Sequence, residues 1–143
     1  MTATRSRKEE KIYKKHLKST NRNDCAFCII KKGNRQLVEE TNNFKIIKNI
    51  FAYSLWDGQK VTDHMMITPK KHTDSLANMQ PKEKIEYVDL VEKYEKLGYN
   101  IYSRAPSSAI KSIAHQHTHL IKTEGDSKRF IFLLRKPYIR IVR

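Results

Sequence analysis

The chain has 143 residues and a formal net charge of +14. A chain of this length forms one domain and can bury about two thirds of its unfolded surface. No apolar run approaches the ~20 residues that cross a bilayer, and the N-terminal residues do not look like a secretory signal. A cytoplasmic protein without membrane attachment is therefore expected.

The positive charge lies mainly at the two ends of the chain. Residues 1–23 contain eight lysines and arginines against two glutamates, and residues 128–143 contain six against no acidic residue. Clustered cations raise the local concentration of phosphates, so this distribution fits a nucleic acid or another anionic partner. A solvated tail and a charged edge strand have the same composition. Residues 1–23 are expected to form a basic arm, either a frayed helix or a disordered segment.

The two cysteines, Cys25 and Cys28, lie three positions apart in the segment DCAFC. They are too close in sequence for a framework disulfide, and in a reducing compartment this spacing is typical of metal or redox chemistry. A Cys-x-x-Cys pair supplies half of a tetrahedral zinc site and needs two more nitrogen or sulfur ligands. Reduced core cysteines and a redox pair are the alternatives.

The elements that follow alternate strands with a single helix. Short segments rich in β-branched residues and bounded by turn residues predict strands at QLVEET, FKIIKN and HMMITP. Helical spacing of apolar residues, a proline at position 81 and a glycine at position 98 predict a helix over residues 81–97. Further strands are predicted at YNIYSR, IAHQHTHLIK, RFIFLLRK and YIRIVR. This order predicts an α+β domain with a largely antiparallel sheet over residues 24–143.

Three histidines, His115, His117 and His119, alternate in IAHQHTHLIK. On a strand they share one face at intervals of about 6.5 to 7 Å, whereas on a helix they would point in different directions. Crowding lowers the pKa of imidazoles and keeps at least one neutral near pH 7, able to attack phosphorus or bind a metal. Incidental histidines on an exposed strand are the alternative. The strict alternation followed by Leu120 and Ile121 favours a functional site.

The segment HQHTHLI resembles the motif of the histidine triad (HIT) superfamily of nucleotide hydrolases and transferases. DCAFCII is similar to the Cys-x-x-Cys entry segment of many HIT proteins, DHMMITPKKH to their Gly-His-x-Leu-Val-Ile-Pro-Lys-x-His segment, and KSIAHQHTH to their Ser-x-x-His approach. The resemblance covers residues 24–122. Within the superfamily, the chain looks most like the zinc-bearing branch of diadenosine polyphosphate hydrolases and galactose-1-phosphate uridylyltransferase.

The resemblance implies a HIT-like antiparallel sheet with one main helix packed on it, and a homodimer formed near that helix. It also implies a nucleotide hydrolase or nucleotidyltransferase that acts on the α-phosphate of a nucleotide conjugate or dinucleoside polyphosphate. His117 would attack the phosphorus and form a covalent nucleotidyl-histidine. His119 would stabilise or protonate the departing oxygen.

The resemblance further implies the residues that bind the nucleotide. Asn49 would lie against the ribose hydroxyls, and Lys111 and Ser112 would lie near the α- and β-phosphates. Asn49 as a strand or turn cap and Lys111 as a solvated loop lysine are the alternatives. His64 matches a position that is structural more often than catalytic, so it is left out of the predicted site.

The resemblance also completes the zinc site. Cys25, Cys28, His72 and His115 would form a closed set of four ligands. Such a site is structural and would fix the start of the catalytic strand.

Some segments depart from the HIT pattern. RAPSSAIKS contains no glycine where many HIT proteins have a glycine-rich loop, NIFAYSLWDGQKVTDH is longer than in the short hydrolases, and no proline follows the triad. These differences leave the substrate open. An enzyme that removes a nucleotide from a nucleic-acid 5′ end and a non-catalytic nucleotide-binding protein are the alternatives. The apolar run FIFLL is a further candidate for burial against a partner.

Overall fold

A computed structural model describes residues 3–19, 25–126, 129–132 and 139–142. Only the backbone is described for residues 17–19 of the first helix and for the last two strands. The elements in chain order are β1 (Ala3–Thr4), α1 (Arg7–Ser19), β2 (Leu37–Glu40), β3 (Phe44–Lys48), β4 (Leu55–Trp56), β5 (Gln59–Pro69), a single 3₁₀ turn (Leu76–Asn78), α2 (Pro81–Lys96), β6 (Asn100–Ser103), β7 (Thr118–Glu124), β8 (Arg129–Phe132) and β9 (Ile139–Val142).

Strands β1 to β7 form one antiparallel sheet around the long strand β5. Along one edge β5 pairs with β4 near its start and with β3 near its end, and along the other edge it pairs with β7. The sheet continues outward through β2 on β3, β1 on β4 and β6 on β7, while β8 and β9 form a separate hairpin. The predicted α+β fold with an antiparallel sheet is confirmed.

Helix α2 covers one face of this sheet. It begins at Pro81, where Gln80 and Glu83 form a capping box that satisfies free backbone N–H groups. Leu90 and Tyr94 are buried against a cluster from the sheet that includes Phe44, Ile46, Met65, Ile67 and Leu120. The predicted apolar stripe lies in the core only in part, because Ile85 and Val88 are 65% and 59% exposed.

The opposite face of the sheet carries His64 and His119. Because side chains alternate along a strand, Met65 and Ile67 of β5 point to α2 while His64 and Met66 point away from it. In β7, Leu120 likewise points to α2, and His119 lies on the face of His64. The histidine cluster therefore lies on the face that α2 does not cover.

The strand over the triad is shorter than predicted. A strand was expected to include all three histidines, but β7 begins at Thr118. Of the three histidines, His119 alone lies within β7. The pairing of β7 with both neighbours stops at this point: Thr118 pairs with Ile67 of β5, which continues to Pro69, and with Ser103, the last residue of β6. Continuing the register would place Gln116 opposite Pro69, which has no N–H to donate. Gln116 N–H donates instead to the Thr73 carbonyl at 2.6 Å.

The described part of the predicted basic arm contains a short strand and a helix, and a helix was one of the two alternatives for this segment. Strand β1 pairs with β4, and helix α1 follows it directly. No helix in the described ranges is both long and apolar enough to span a membrane. The side chains of the FIFLL run lie outside the described residues.

Candidate active site and metal centre

The structure brings the four predicted zinc ligands together. The ligand atoms of Cys25, Cys28, His72 and His115 all lie within 4.8 Å of one another. His115 Nδ1 is 3.3 Å from Cys25 Sγ and 3.5 Å from Cys28 Sγ, and His72 Nδ1 is 3.3 Å from Cys28 Sγ. Tetrahedral zinc, with bonds of about 2.3 Å to sulfur and 2.0 to 2.1 Å to nitrogen, separates such atoms by roughly 3.5 Å. The donor set and its spacing therefore fit zinc.

The contacts around His115 prepare it to bind a metal. Its Nε2–H donates to the Pro69 carbonyl at 3.0 Å, which leaves Nδ1 unprotonated and facing the two sulfur atoms. Burial lowers the pKa of His115 to about 4, so the ring is neutral at physiological pH. A neutral ring with a free nitrogen is the form that binds a metal ion.

The turn that carries the cysteines is held by a buried lysine. Lys45 of β3 is 5% exposed, and its Nζ donates to the carbonyls of Phe27 and Ile30 at 2.8 Å each. Within the turn, the Cys28 N–H donates to the Cys25 carbonyl at 3.0 Å. The strand and the cysteine turn are thus joined by one ammonium group.

His117 is held in one tautomer by the backbone. Its Nδ1–H donates to the carbonyl of His115 at 2.8 Å, so the lone pair lies on Nε2. Burial lowers the pKa of His117, and the charges of Lys111 and Arg104 lower it further. The side chain is therefore neutral near pH 7, which is the state that a nucleophile requires.

His119 is held through a neighbour that the sequence analysis left out of the site. The Tyr53 N–H donates to His64 Nδ1 at 3.2 Å, so the proton of neutral His64 is on Nε2. That Nε2–H donates to His119 Nδ1 at 2.9 Å, which places the proton of His119 on its Nε2. Burial lowers the pKa of His64 to about 4 and that of His119 to about 2. The result is a donor on His119 next to the lone pair of His117, with ring centroids 5.0 Å apart.

Asn49 lies beside this cluster and makes local contacts. Its Oδ1 accepts the Phe51 N–H at 2.9 Å, and its Nδ2 is 3.2 Å from His64 Nε2. The first bond is the turn cap that was weighed as the alternative. The ribose role of Asn49 stays a prediction.

Lys111 is tied down rather than free in solvent. Its Nζ donates to the Asp74 carbonyl at 3.0 Å and to Gln116 Oε1 at 3.2 Å. Gln116, between the first two histidines, is buried, and its Nε2 donates to Ser103 Oγ at 2.7 Å. Ser112, which was predicted to lie near the phosphates together with Lys111, is exposed. Gln116 was missed because nothing in its sequence position shows which loop residue its side chain will reach.

Arginines from two further segments also lie near the histidines. The Arg104 guanidinium is 5.1 Å from the centroid of Tyr102, whose ring stacks on His119 at 5.9 Å. Arg5 is 4.8 Å from the centroid of Tyr53, whose ring is 5.8 Å from His119. Within the described part of the chain, Arg104 and Lys111 form no salt bridge with a carboxylate. The site therefore has a positive potential that suits a phosphate.

Comparison with known proteins gives a consistent picture. No model of a protein family matches the chain. A curated "uncharacterized HIT-like protein" of Borreliella burgdorferi is 27% identical over 109 residues, which are 68% of this chain and 74% of that protein. A HIT family protein from Bacillus anthracis has a similar structure, with a TM-score of 0.56, 21% identity, and coverage of 80% of this chain and 84% of the other. A zinc-bound histidine triad protein from Mycobacterium smegmatis has a TM-score of 0.55, 21% identity, and coverage of 74% and 79%.

These likenesses confirm the resemblance to the HIT superfamily and its fold. At identities this low, the solved structures support the fold alone. The assignment to a particular branch stays a prediction.

We expect the purified protein to hold about one equivalent of zinc when chelators are omitted, because four suitable donors already lie within 4.8 Å of one another. Elemental analysis of the desalted protein measures this content. Cys25→Ser should remove most of the metal, since it removes one of the four donors, whereas Lys32→Ala, an exposed change in the following turn, should not. Retention of a full equivalent by the Cys25→Ser protein would contradict the site.

Proposed function

Since the chain has the histidine triad fold and resembles that superfamily in its motifs, we propose that it is a nucleotide hydrolase or nucleotidyltransferase. Its substrate would be a nucleotide conjugate or a dinucleoside polyphosphate, attacked at the α-phosphate. The supporting observation is the pair of fixed tautomers: a lone pair on His117 Nε2 next to a proton on His119 Nε2. A nucleophile and a hydrogen-bond donor are the two groups that phosphoryl transfer needs at its centre.

In the first step, the lone pair of His117 Nε2 forms a bond to the α-phosphorus, and the bond from phosphorus to the leaving group breaks. The electron pair of that bond goes to the leaving group. The carbonyl of His115 accepts the Nδ1–H of His117 throughout and stabilises the positive charge that develops on the ring. The His119 Nε2–H donates to an oxygen at the reacting phosphate, where negative charge accumulates.

In the second step, a water oxygen or another acceptor attacks the phosphorus of the nucleotidyl-histidine, and the proton that an attacking water loses passes to solvent. The phosphorus–nitrogen bond breaks and its electron pair returns to His117 Nε2, which restores the neutral ring. Water gives a hydrolase and a phosphate acceptor gives a transferase. Two displacements at one phosphorus replace a single more difficult one.

The remaining side chains position the substrate in this proposal. Lys111 and Arg104 attract the phosphates, and Ser112 offers a hydroxyl from the same loop. Asn49 binds the ribose. His64 is a positioning residue, because it fixes the tautomer of His119 through one hydrogen bond.

Zinc in the Cys25, Cys28, His72 and His115 set would have a structural role in this proposal. When bound, it would hold the cysteine turn against His115 and stabilise that part of the fold. All four donors are protein side chains, which leaves no position for substrate in a tetrahedral site. His115 would then hold its carbonyl in the place that His117 requires.

His117→Ala should abolish both turnover and formation of the nucleotidyl-enzyme, because no neighbouring group can supply an in-line nitrogen. His119→Ala should lower the rate by about 10² to 10³ and leave binding largely intact, since it removes one stabilising donor. Single-turnover kinetics with a fluorescent adenosine phosphoramidate and with a dinucleoside polyphosphate measure both effects. Mass spectrometry detects the adduct on His117.

Both variants should keep the wild-type zinc content and melting temperature, which separates lost chemistry from lost folding. Near-normal turnover of His117→Ala with an inactive His119→Ala would invert the two roles. A wild-type protein that binds nucleotides and turns over neither substrate would be a non-catalytic binding protein.

We also propose a homodimer formed through α2. Ile85 and Val88 are 65% and 59% exposed on adjacent turns of this helix, and a second copy would bury them. The double change Ile85→Lys and Val88→Lys should convert the dimer to a monomer in sedimentation velocity at micromolar concentration. Ile110→Lys, a change of an equally exposed isoleucine in the loop before the triad, should remain dimeric. A monomeric wild-type protein would exclude the proposed dimer.

A further inference from the structure

One face of helix α1 is anchored to the domain. The carboxylate of Glu9 accepts a hydrogen bond from the Ser54 hydroxyl. The Tyr13 and His16 rings pack on Phe51, with centroid distances of 5.3 and 4.7 Å. Just before the helix, Arg5 Nε donates to the Phe51 carbonyl at 3.0 Å. These contacts fix α1 along the segment that follows Asn49.

The other face of α1 carries the positive charge. With about 100° between successive residues, the anchoring side chains share one side, and five cations fall within an arc of roughly 120° on the opposite side. These cations, here called the basic face, are Arg7, Lys8, Lys11, Lys14 and Lys15, and all five are exposed. Among the described side chains, Glu10 contacts one of them, Lys14, at 3.4 Å. The basic face is therefore largely open to an anionic partner.

The residue that leads into α1 lies near the candidate active site. Tyr53 lies between Arg5 and the triad, since its ring is 4.8 Å from the Arg5 guanidinium and 5.8 Å from the ring of His119. One layer of side chains thus separates the base of α1 from the catalytic pair. A polyanion that leaves the triad on this side would meet the helix.

We infer that the basic face of α1 binds the phosphate backbone of a nucleic-acid strand whose terminal nucleotide lies at the histidine triad. This inference rests on the proposed function and names the macromolecule to which the nucleotide is attached. A free nucleotide is too short to reach along a helix of about 20 Å. On a helix, the Cβ atoms of residues three and four apart lie about 5 to 6 Å from one another, so their flexible cationic side chains can reach successive phosphates of a strand.

The distribution of charge supports a dedicated surface. Residues 24–127 contain 15 basic and 13 acidic side chains, so the body of the chain is close to neutral. An acidic polypeptide is the other partner that a basic helix can attract. The nearby phosphate chemistry favours the nucleic acid, because one ligand then satisfies both the triad and the helix.

The test compares two pairs of substitutions that remove the same charge from different helices. Lys11→Gln with Lys15→Gln changes the basic face, and Lys82→Gln with Lys84→Gln changes exposed lysines of α2. Binding of a fluorescent 12-nucleotide single strand is measured by anisotropy over a range of salt concentrations. The first pair should weaken binding at least tenfold near 100 mM salt and reduce the slope of log K against log salt by about 1.4. The second pair should leave both unchanged.

Turnover of the adenosine phosphoramidate separates this inference from the proposed function. All variants should process this small substrate like wild type, because it does not reach α1. If the α1 substitutions and the α2 substitutions weaken binding of the nucleic-acid strand equally, the basic face is not the binding surface. Polyglutamate that competes as well as an unlabelled strand would overturn the nucleic acid as the partner. If the wild-type protein does not turn over the phosphoramidate but its binding of the strand still depends on α1, the proposed function is rejected and this inference stands.

A separate observation concerns Lys45. A buried ammonium group is costly unless it is fully hydrogen-bonded, yet within the described residues Lys45 has no carboxylate partner. Its two acceptors, the carbonyls of Phe27 and Ile30, belong to the turn that carries both cysteines. The geometry points to Lys45 as a positioning residue that holds this turn so that both sulfur atoms face His115.

The rate of zinc release to a chromogenic chelator tests this role. Lys45→Met keeps the length of the side chain but removes the ammonium donor from both carbonyls, and it should speed release about 10- to 100-fold. Lys48→Met, an exposed change on the same strand, should match wild type. Lys45→Gln keeps a donor, so its rate of zinc release should lie between those of Lys45→Met and wild type. It replaces Lys45→Met in the test if that protein does not fold. Wild-type release in the tested Lys45 variant, with a lower melting temperature, would assign a purely structural role.

Discussion

His115 joins the two halves of the site through one residue. Its ring donates to the Pro69 carbonyl and presents Nδ1 to the cysteines, while its own carbonyl accepts the Nδ1–H of His117. The orientation of His117 therefore depends on where the backbone of His115 lies. That backbone is not held by a sheet ladder, because β7 begins only at Thr118. The side-chain contacts of His115 and the bond from Gln116 to Thr73 hold it instead.

The short strand explains how consecutive histidines face different partners. In a regular strand, all three rings would lie on one face of the sheet. Because the strand starts late, His115 turns to the cysteine side while His119 remains in register with the sheet next to His64. His117 lies between them, with Phe27 of the cysteine turn 5.2 Å from its ring and His119 at 5.0 Å. The end of the β5–β7 pairing at Thr118 thus divides one motif into an end that faces the cysteines and an end that faces His64.

Sequence patterns predicted most of the fold but only part of the surroundings of the site. Alternation and turn residues located the strands, and helical spacing located α2, because these signals are local along the chain. The four donors of the metal cluster followed from the resemblance to HIT proteins. Gln116 and Lys45 were missed and His64 was left out of the predicted site, since their contacts depend on partners far away in sequence that the register brings close. The exposure of Ile85 was also missed, because apolar periodicity marks a face without showing what covers it.

The electrostatics of the site serve two requirements at once. A carboxylate beside the imidazoles would raise their pKa and favour the protonated state, which has no lone pair to attack phosphorus. Asp63, the acid next to His64 in sequence, raises the pKa of His64, but burial and the charge of Arg5 outweigh this effect. The Asp63 carboxylate accepts hydrogen bonds from Lys48 Nζ at 2.6 Å and from the Tyr99 hydroxyl at 2.6 Å. Burial lowers the pKa of His64, His117 and His119 most, and the cations Arg5, Arg104 and Lys111 lower it further. The same cations give the site a positive potential, which suits the phosphate of the proposed substrate.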